Sequence, residues 1–297
     1  MKKFMLATLS VIVIAGCVKD IVYEDQPVPI LFDAGISAVN TRAPIVSSGG
    51  LPTSPITGIQ ILRAADIASS PDWTAVSSVA TTADVSTAGA VSPTTTQYYN
   101  ANPSLNAWFM AYYPSGTITA NKVNWTITGQ EDIIVAPSVG AGNKSSPTTA
   151  TLAFAHKLTQ LQFYVKAASP TAITQWGTLS SIKVTADTAL ELTLSTNTLA
   201  SNSTPVNTDL TTSGSFPFTM TTSEAAVGVI MVKPGDLGTI KVTTANSPEQ
   251  SVGITGLSTT VAGSAHKITL TFNELGGITF AATLTDWATG TAGTGTL

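Results

Sequence analysis

Short runs with an apolar residue at every second position, each closed by Gly, Pro, Asn or Ser, restrict this chain more than any other feature. The clearest is Val28 to Ala38, where Val28, Ile30, Phe32, Ala34 and Ile36 share one parity. In an extended strand that parity turns one face to a core. Ile278, Phe280, Ala282 and Leu284 repeat the pattern near the C-terminus. No stretch sustains apolar spacing at three and four over several turns, so no long helix is expected. Candidate strands are Ile56–Leu62, Trp73–Val79, Ala107–Tyr113, Lys122–Ile127, Ile133–Val135, Thr149–Phe154 and Leu158–Val165. Further on they are Leu179–Val184, Ala189–Leu194, Ala226–Val232, Thr239–Thr243, His266–Phe272 and Ile278–Leu284. Many short strands between turn residues predict an all-β fold built of sandwiches or barrels.

Composition agrees. Only 10% of the residues are charged and mean hydropathy is +0.28. Disordered chains combine high charge with few β-branched residues, the opposite balance. The stretch Pro137–Pro147 (PSVGAGNKSSP) is rich in turn residues and reads as a linker between residues 43–147 and 148–297. Pro93–Ser104 and Ser195–Gly214 read as exposed loops. Net charge is −4 and the eleven lysines are scattered, which argues against a nucleic-acid partner.

The N-terminus reads as a targeting segment. Lys2 and Lys3 precede an apolar run, Phe4 to Ile14, that is too short to span a bilayer. Ile14-Ala15-Gly16-Cys17 then resembles a bacterial lipobox. Residues 1–16 are expected to be a lipoprotein signal peptide, and Cys17 the lipidated first residue of the mature chain. Cys17 is the sole cysteine, so packing without a disulfide must hold the fold. Arg42, one of two arginines, follows the first alternating run and precedes small residues. That places it within reach of an arginine-specific protease. Arg63 closes the run containing Ile59 and Ile61 and is expected inside a sheet.

Signs of catalysis are missing from the sequence. It contains no G-x-S-x-G elbow, G-x-G-x-x-G, P-loop or EF-hand calcium pattern. His156 and His266 are the only histidines, too few for a zinc site without other ligands. His156 is expected as a hydrogen-bonded structural residue on a strand. Glu131-Asp132 is expected to edge a turn rather than form an acid/base pair. The five tryptophans could stack on sugars, although core packing suits most of them. Asp187-Thr188-Ala189 matches a short bacterial O-glycosylation pattern. No enzyme activity, cofactor or metal is expected.

Several segments together resemble the fimbrillins, the Mfa-like and FimA-like pilins of type V pili. They are the lipobox; Ile30-Leu31-Phe32 followed by Thr41-Arg42-Ala43; and Trp108-Phe109-Met110-Ala111-Tyr112-Tyr113-Pro114. Asp132 to Ala136, Leu152 to Leu158, and Ala262 through Phe272 to Trp287 complete the set. The order and spacing carry the likeness rather than any one motif. The resemblance implies two β-sandwich domains, the second transthyretin-like. It implies a lipoprotein of the outer membrane that is cut between Arg42 and Ala43, with residues 17–42 acting as a propeptide that holds the first strand. A strand from another pilin subunit then fills the vacated groove, giving a surface fimbrium that meets host or bacterial ligands. Residues 277–297, with Ile278, Phe280, Ala282 and Leu284, are the candidate donor strand. The alternative is a surface glycan-binding lipoprotein of a polysaccharide-uptake system.

Overall fold

The structure is a computed structural model that describes residues 26–36, 47–235, 239–252, 260–274 and 278–285. It is built almost wholly of strands, in agreement with the all-β expectation. The largest sheet has seven strands. In spatial order they are Phe32–Ile36, Ala150–His156, Ile134–Gly140, Trp108–Tyr113, Ile56–Arg63, Thr81–Val85 and Val91–Pro93. Its outermost pair is parallel, Phe32 opposite Ala150 and Ile36 opposite Phe154, and the other pairs are antiparallel.

This sheet curls over its own core. Ile30, Phe32, Ile59, Ile61, Phe109, Ala111, Leu152 and Phe154 meet in one apolar cluster. The reverse face is buried too. Leu62, Met110, Tyr112, Ile133 and Val135 pack against a four-stranded sheet ordered Thr198–Ser201, Ala189–Thr193, Lys122–Thr126, Thr117–Thr119. Burial on both faces explains why Trp108-Phe109-Met110-Ala111-Tyr112-Tyr113 is a continuous apolar run and does not alternate.

The C-terminal part is a sandwich of two sheets. One is ordered Ser213–Gly214, Ala225–Val232, Thr159–Ala167, Ala265–Phe272, Ile278–Thr285. The other is ordered Asn207–Thr211, Leu179–Asp187, Ile240–Thr244, Ser247–Val252. Phe163, Val165, Ile268 and Leu270 from the first meet Ile182, Val184, Ile240 and Val242 from the second. One short helix, Pro170–Trp176, closes an end of this core. Ser169 caps it by accepting from the Ala172 N–H, and Pro170 sits where the lost N–H costs nothing. Trp176 plugs in edge-on to Phe272 at 5.5 Å and donates to the Asn273 carbonyl.

Three local expectations change. Trp73–Val79 is not a strand: Asp72 caps a single 3-10 turn, Trp73–Ala75, by accepting from the Thr74 N–H. Ser195–Gly214 is not all loop, since it holds the strands Thr198–Ser201 and Asn207–Thr211. Both are sheet edges, and edge strands need few apolar residues; Leu210 is the one fully buried side chain of the second. Pro137–Pro147 is no bare linker either. It carries the end of the strand Ile134–Gly140 and a hairpin, Gly142–Asn143 with Ser146–Pro147. The next strand, Ala150–His156, stays in the seven-stranded sheet, so the chain changes sheets at Lys157.

Candidate functional site: the first strand and its groove

The alternation from Val28 to Ile36 is realised side chain by side chain. Ile30, Phe32, Ala34 and Ile36 are buried, while Leu31 between them is 65% exposed. Phe32 stands edge-on to Phe109 with ring centroids 4.8 Å apart. Burying an Ile or Phe is worth about 1.5–3 kcal/mol, so Ile30, Phe32 and Ile36 together contribute roughly 5–9 kcal/mol before ordering costs.

The backbone of this strand is held on both sides. On one side it runs parallel to Ala150–Phe154, with Leu31 accepting from the Ala150 N–H at 2.9 Å. On the other its N–H groups reach three separate turns. Ile30 donates to Gln97, Ala34 to Gly89 and Ile36 to Gly50, at 2.8, 2.9 and 2.8 Å. Among the described residues, the strand therefore fills a slot between a regular strand and a wall of turns. Gly89 makes that wall possible. Its φ is +81°, and a Cβ there would lie 2.6 Å from the Ala34 carbonyl oxygen.

The wall has fixings of its own. The Tyr99 hydroxyl donates to the Ala141 carbonyl at 2.7 Å and accepts from the Thr148 N–H at 3.2 Å. Burial raises its pKa above the usual phenol value, so it stays a donor. Neither partner belongs to the first strand. Beside Leu31, a cavity of about 280 Å³ is lined by Val28, Pro29, Tyr99 and Pro147. Sequence reasoning missed Gly50, Gly89, Gln97 and Tyr99, because they act through backbone groups or through turns.

The remaining candidates are placed as follows. Cys17, Arg42 and Ala43 lie outside the described residues. Arg63 ends the strand Ile56–Arg63 and is fully engaged. It pairs with Asp66 at 2.9 Å, donates to the Tyr98 carbonyl and lies over the Phe109 ring at 5.4 Å. Ile278–Thr285 pairs antiparallel with Ala265–Phe272 over eight residues and is the last strand of its sheet. Ile278 packs against the C-terminal core.

His156 is a structural histidine, buried with Nδ1 2.9 Å from Asp132. Glu131 takes the N–H and hydroxyl of Thr128, each at 2.7 Å, and ties a turn. Burial pushes the Glu131 carboxyl up, but these donors outweigh it and leave the pKa below the ordinary value. The glycosylation pattern is corrected by its surroundings. Asp187 and Thr188 are buried, and the Thr188 hydroxyl donates to the Val206 carbonyl, out of reach of a glycosyltransferase. Trp73, Trp125 and Trp176 are core residues. Among the described residues no group of three or more His, Cys, Asp or Glu could hold a metal ion.

Among curated proteins none matches the chain. Two solved structures share its fold. A protein assigned to cell adhesion from Bacteroides uniformis is 18% identical with TM-score 0.59, covering 88% of this chain and 98% of that one. Another so assigned, from Bacteroides ovatus, is 17% identical with TM-score 0.59, covering 89% and 99%. The sequence profile described as fimbrillin-like matches residues 57–287, most of the chain. By that match, and on a fold these solved structures share, the chain belongs to the fimbrillin-like family.

Proposed function

We propose that this protein is a subunit of a cell-surface fimbrium that serves adhesion. It is exported as a lipoprotein anchored through Cys17 in the outer membrane. An arginine-specific protease cuts it between Arg42 and Ala43, and subunits then join by donor-strand exchange. The observation that carries the reading is the slot around Phe32–Ile36. The segment Ile30 to Ile36 supplies four buried side chains, and in the wall beside it the Tyr99 hydroxyl ties Ala141 to Thr148, while the Tyr99 N–H donates to the Val28 carbonyl. A groove with such walls keeps its shape for a second occupant. Arg42 lies six residues beyond Ile36, while Arg63 is committed to Asp66 and Tyr98, so one preferred cut follows.

The donor is the segment 277–297. In a single chain its strand Ile278–Thr285 pairs with Ala265–Phe272 at a sheet edge, and exchange moves it to a neighbour's groove. Limited digestion with an arginine-specific protease, followed by electron microscopy and N-terminal sequencing, tests the proposal. Filaments whose subunits start at Ala43-Pro44-Ile45 are expected. Filaments of uncut chain, or a start at Ala64, would overturn the processing step. Deleting 277–297 should leave a folded, cleavable monomer that does not polymerise, and a chain that no longer folds would remove the donor role. Cys17→Ala should abolish palmitate labelling and membrane retention; undiminished label would refute the anchor.

A further inference from the structure

The chain is acidic overall, and four of its lysines pair with carboxylates. Lys122 pairs with Glu191, Lys183 with Glu249, Lys241 with Asp209 and Lys267 with Glu224. Lys157 does not. Among the described residues it makes no ion pair, and its ammonium donates to the backbone carbonyl of Asn197 at 2.9 Å. It sits where the chain passes from the seven-stranded sheet into the C-terminal sandwich. The Ile133 carbonyl takes its backbone N–H, and the strand that follows starts at Thr159. A half-buried ammonium without a carboxylate carries charge that the protein itself leaves uncompensated.

A cavity of about 650 Å³ opens at this point. Lys157 and Lys233 line it, and among the described residues no lining residue is acidic. Its far wall is the strand Thr198–Ser201, an edge strand whose outer backbone groups face no other strand of the sheet. Asn197 holds the turn before that strand with φ +54°, and its Oδ1 has no donor among the described residues. Thr198 and Ser201 add hydroxyls, and Leu199 and Pro234 add apolar surface.

We infer that this cavity is a binding site for a carboxylated sugar, such as a uronic or sialic acid residue, with Lys157 and Lys233 on the carboxylate. The Asn197, Thr198 and Ser201 side chains suit ring hydroxyls, and Leu199 and Pro234 suit the apolar face of a pyranose. The cavity size falls within the range of small-ligand sites, about 300–1,000 Å³. Burial holds the pKa of Lys157 below the usual lysine value, and a bound anion reverses that cost. The site deepens the adhesion reading and rests on it only for its biological use. Binding is a property of the monomer, so a failure of filament assembly would leave it standing.

The test is titration of the intact protein with glucuronate and N-acetylneuraminate, with glucose and inorganic phosphate as the other arms. The two sugar acids should bind and glucose should not, with affinity falling as salt rises. Lys157→Gln should weaken binding by about tenfold or more, and Lys233→Gln should do so independently if the first variant folds poorly. Phosphate binding as tightly as glucuronate, or sugar-acid binding that survives both substitutions, would overturn the inference.

Discussion

The first strand and the last carry nearly the same pattern, and each closes one edge of a sheet. The first, Phe32–Ile36, lies between a parallel neighbour and three turns, with its alternate side chains in a core. The last, Ile278–Thr285, pairs among the described residues with Ala265–Phe272 alone, over eight antiparallel pairs. Alternation thus specifies a strand. Whether that strand is enclosed or hangs at an open edge depends on what the rest of the chain places beside it.

The sharpest way to break the comparison is Phe32→Ala. In the uncut chain it should cost about 3–5 kcal/mol, through lost burial and the lost contact with Phe109. Urea unfolding of the uncut chain is the measurement, since Phe32 leaves with residues 1–42 on cleavage. An unfolding midpoint unchanged by the substitution would mean the first strand is not what that core depends on.

Tyr112 supplies the opposite control. It lies on the reverse face of the same sheet, in the cluster that cleavage leaves covered. Burial pushes its hydroxyl up to about 12. A raised folded pKa means stability that is full below the ordinary phenol value near 10 and lost as pH climbs through the folded value. The two-unit difference corresponds to on the order of 2–3 kcal/mol. Denaturation midpoints followed through that window should fall alike in cut and uncut chain. Tyr112→Phe should flatten the fall at little cost near neutrality, because the hydroxyl has no partner among the described residues.

Gly89→Ala acts on the wall alone. A Cβ at a positive φ and against the Ala34 carbonyl should weaken docking of the first strand by about 1–3 kcal/mol. Faster cutting at Arg42 is the readout, and an unchanged rate would show that this contact does not hold the strand. The smallest effect belongs near the last strand. Glu224 has a depressed pKa, chiefly because Lys267 donates to it, with Thr269 adding a second bond. Its stabilisation is present above the ordinary carboxylate range and lost as pH falls below it. The group is exposed, so Glu224→Gln should shift the melting temperature only slightly.

Sequence legibility follows the same division. Strands with one clean buried face were readable, Phe32–Ile36 and Ala265–Phe272 among them. So was the continuous run at Trp108–Tyr113, because length and flanking turns marked it as a strand. Thr198–Ser201 and Asn207–Thr211 were not, since an edge carries polar residues on both faces. Trp73 misled because its neighbours alternate, although Pro71-Asp72 ahead of it is a capping signal. The groove's occupant could be read from its own residues. Its wall could not, because Gly50, Gly89 and Gln97 contribute carbonyl oxygens that leave no mark on side-chain pattern.

The four-stranded sheet behind the groove has a mechanical consequence. Its middle pair joins Lys122–Thr126, from before the sheet change at Lys157, to Ala189–Thr193, from after it, through five antiparallel residue pairs. A pull on the subunit along its chain therefore does not stretch a flexible tether at residues 137–147. It loads a ladder of backbone hydrogen bonds together with the Trp125 and Leu190 packing beneath them. Such a joint is stiff until it yields, then lengthens abruptly as the ladder parts. Single-molecule pulling on tandem copies should record one force peak for that event, and Leu190→Ala should lower it.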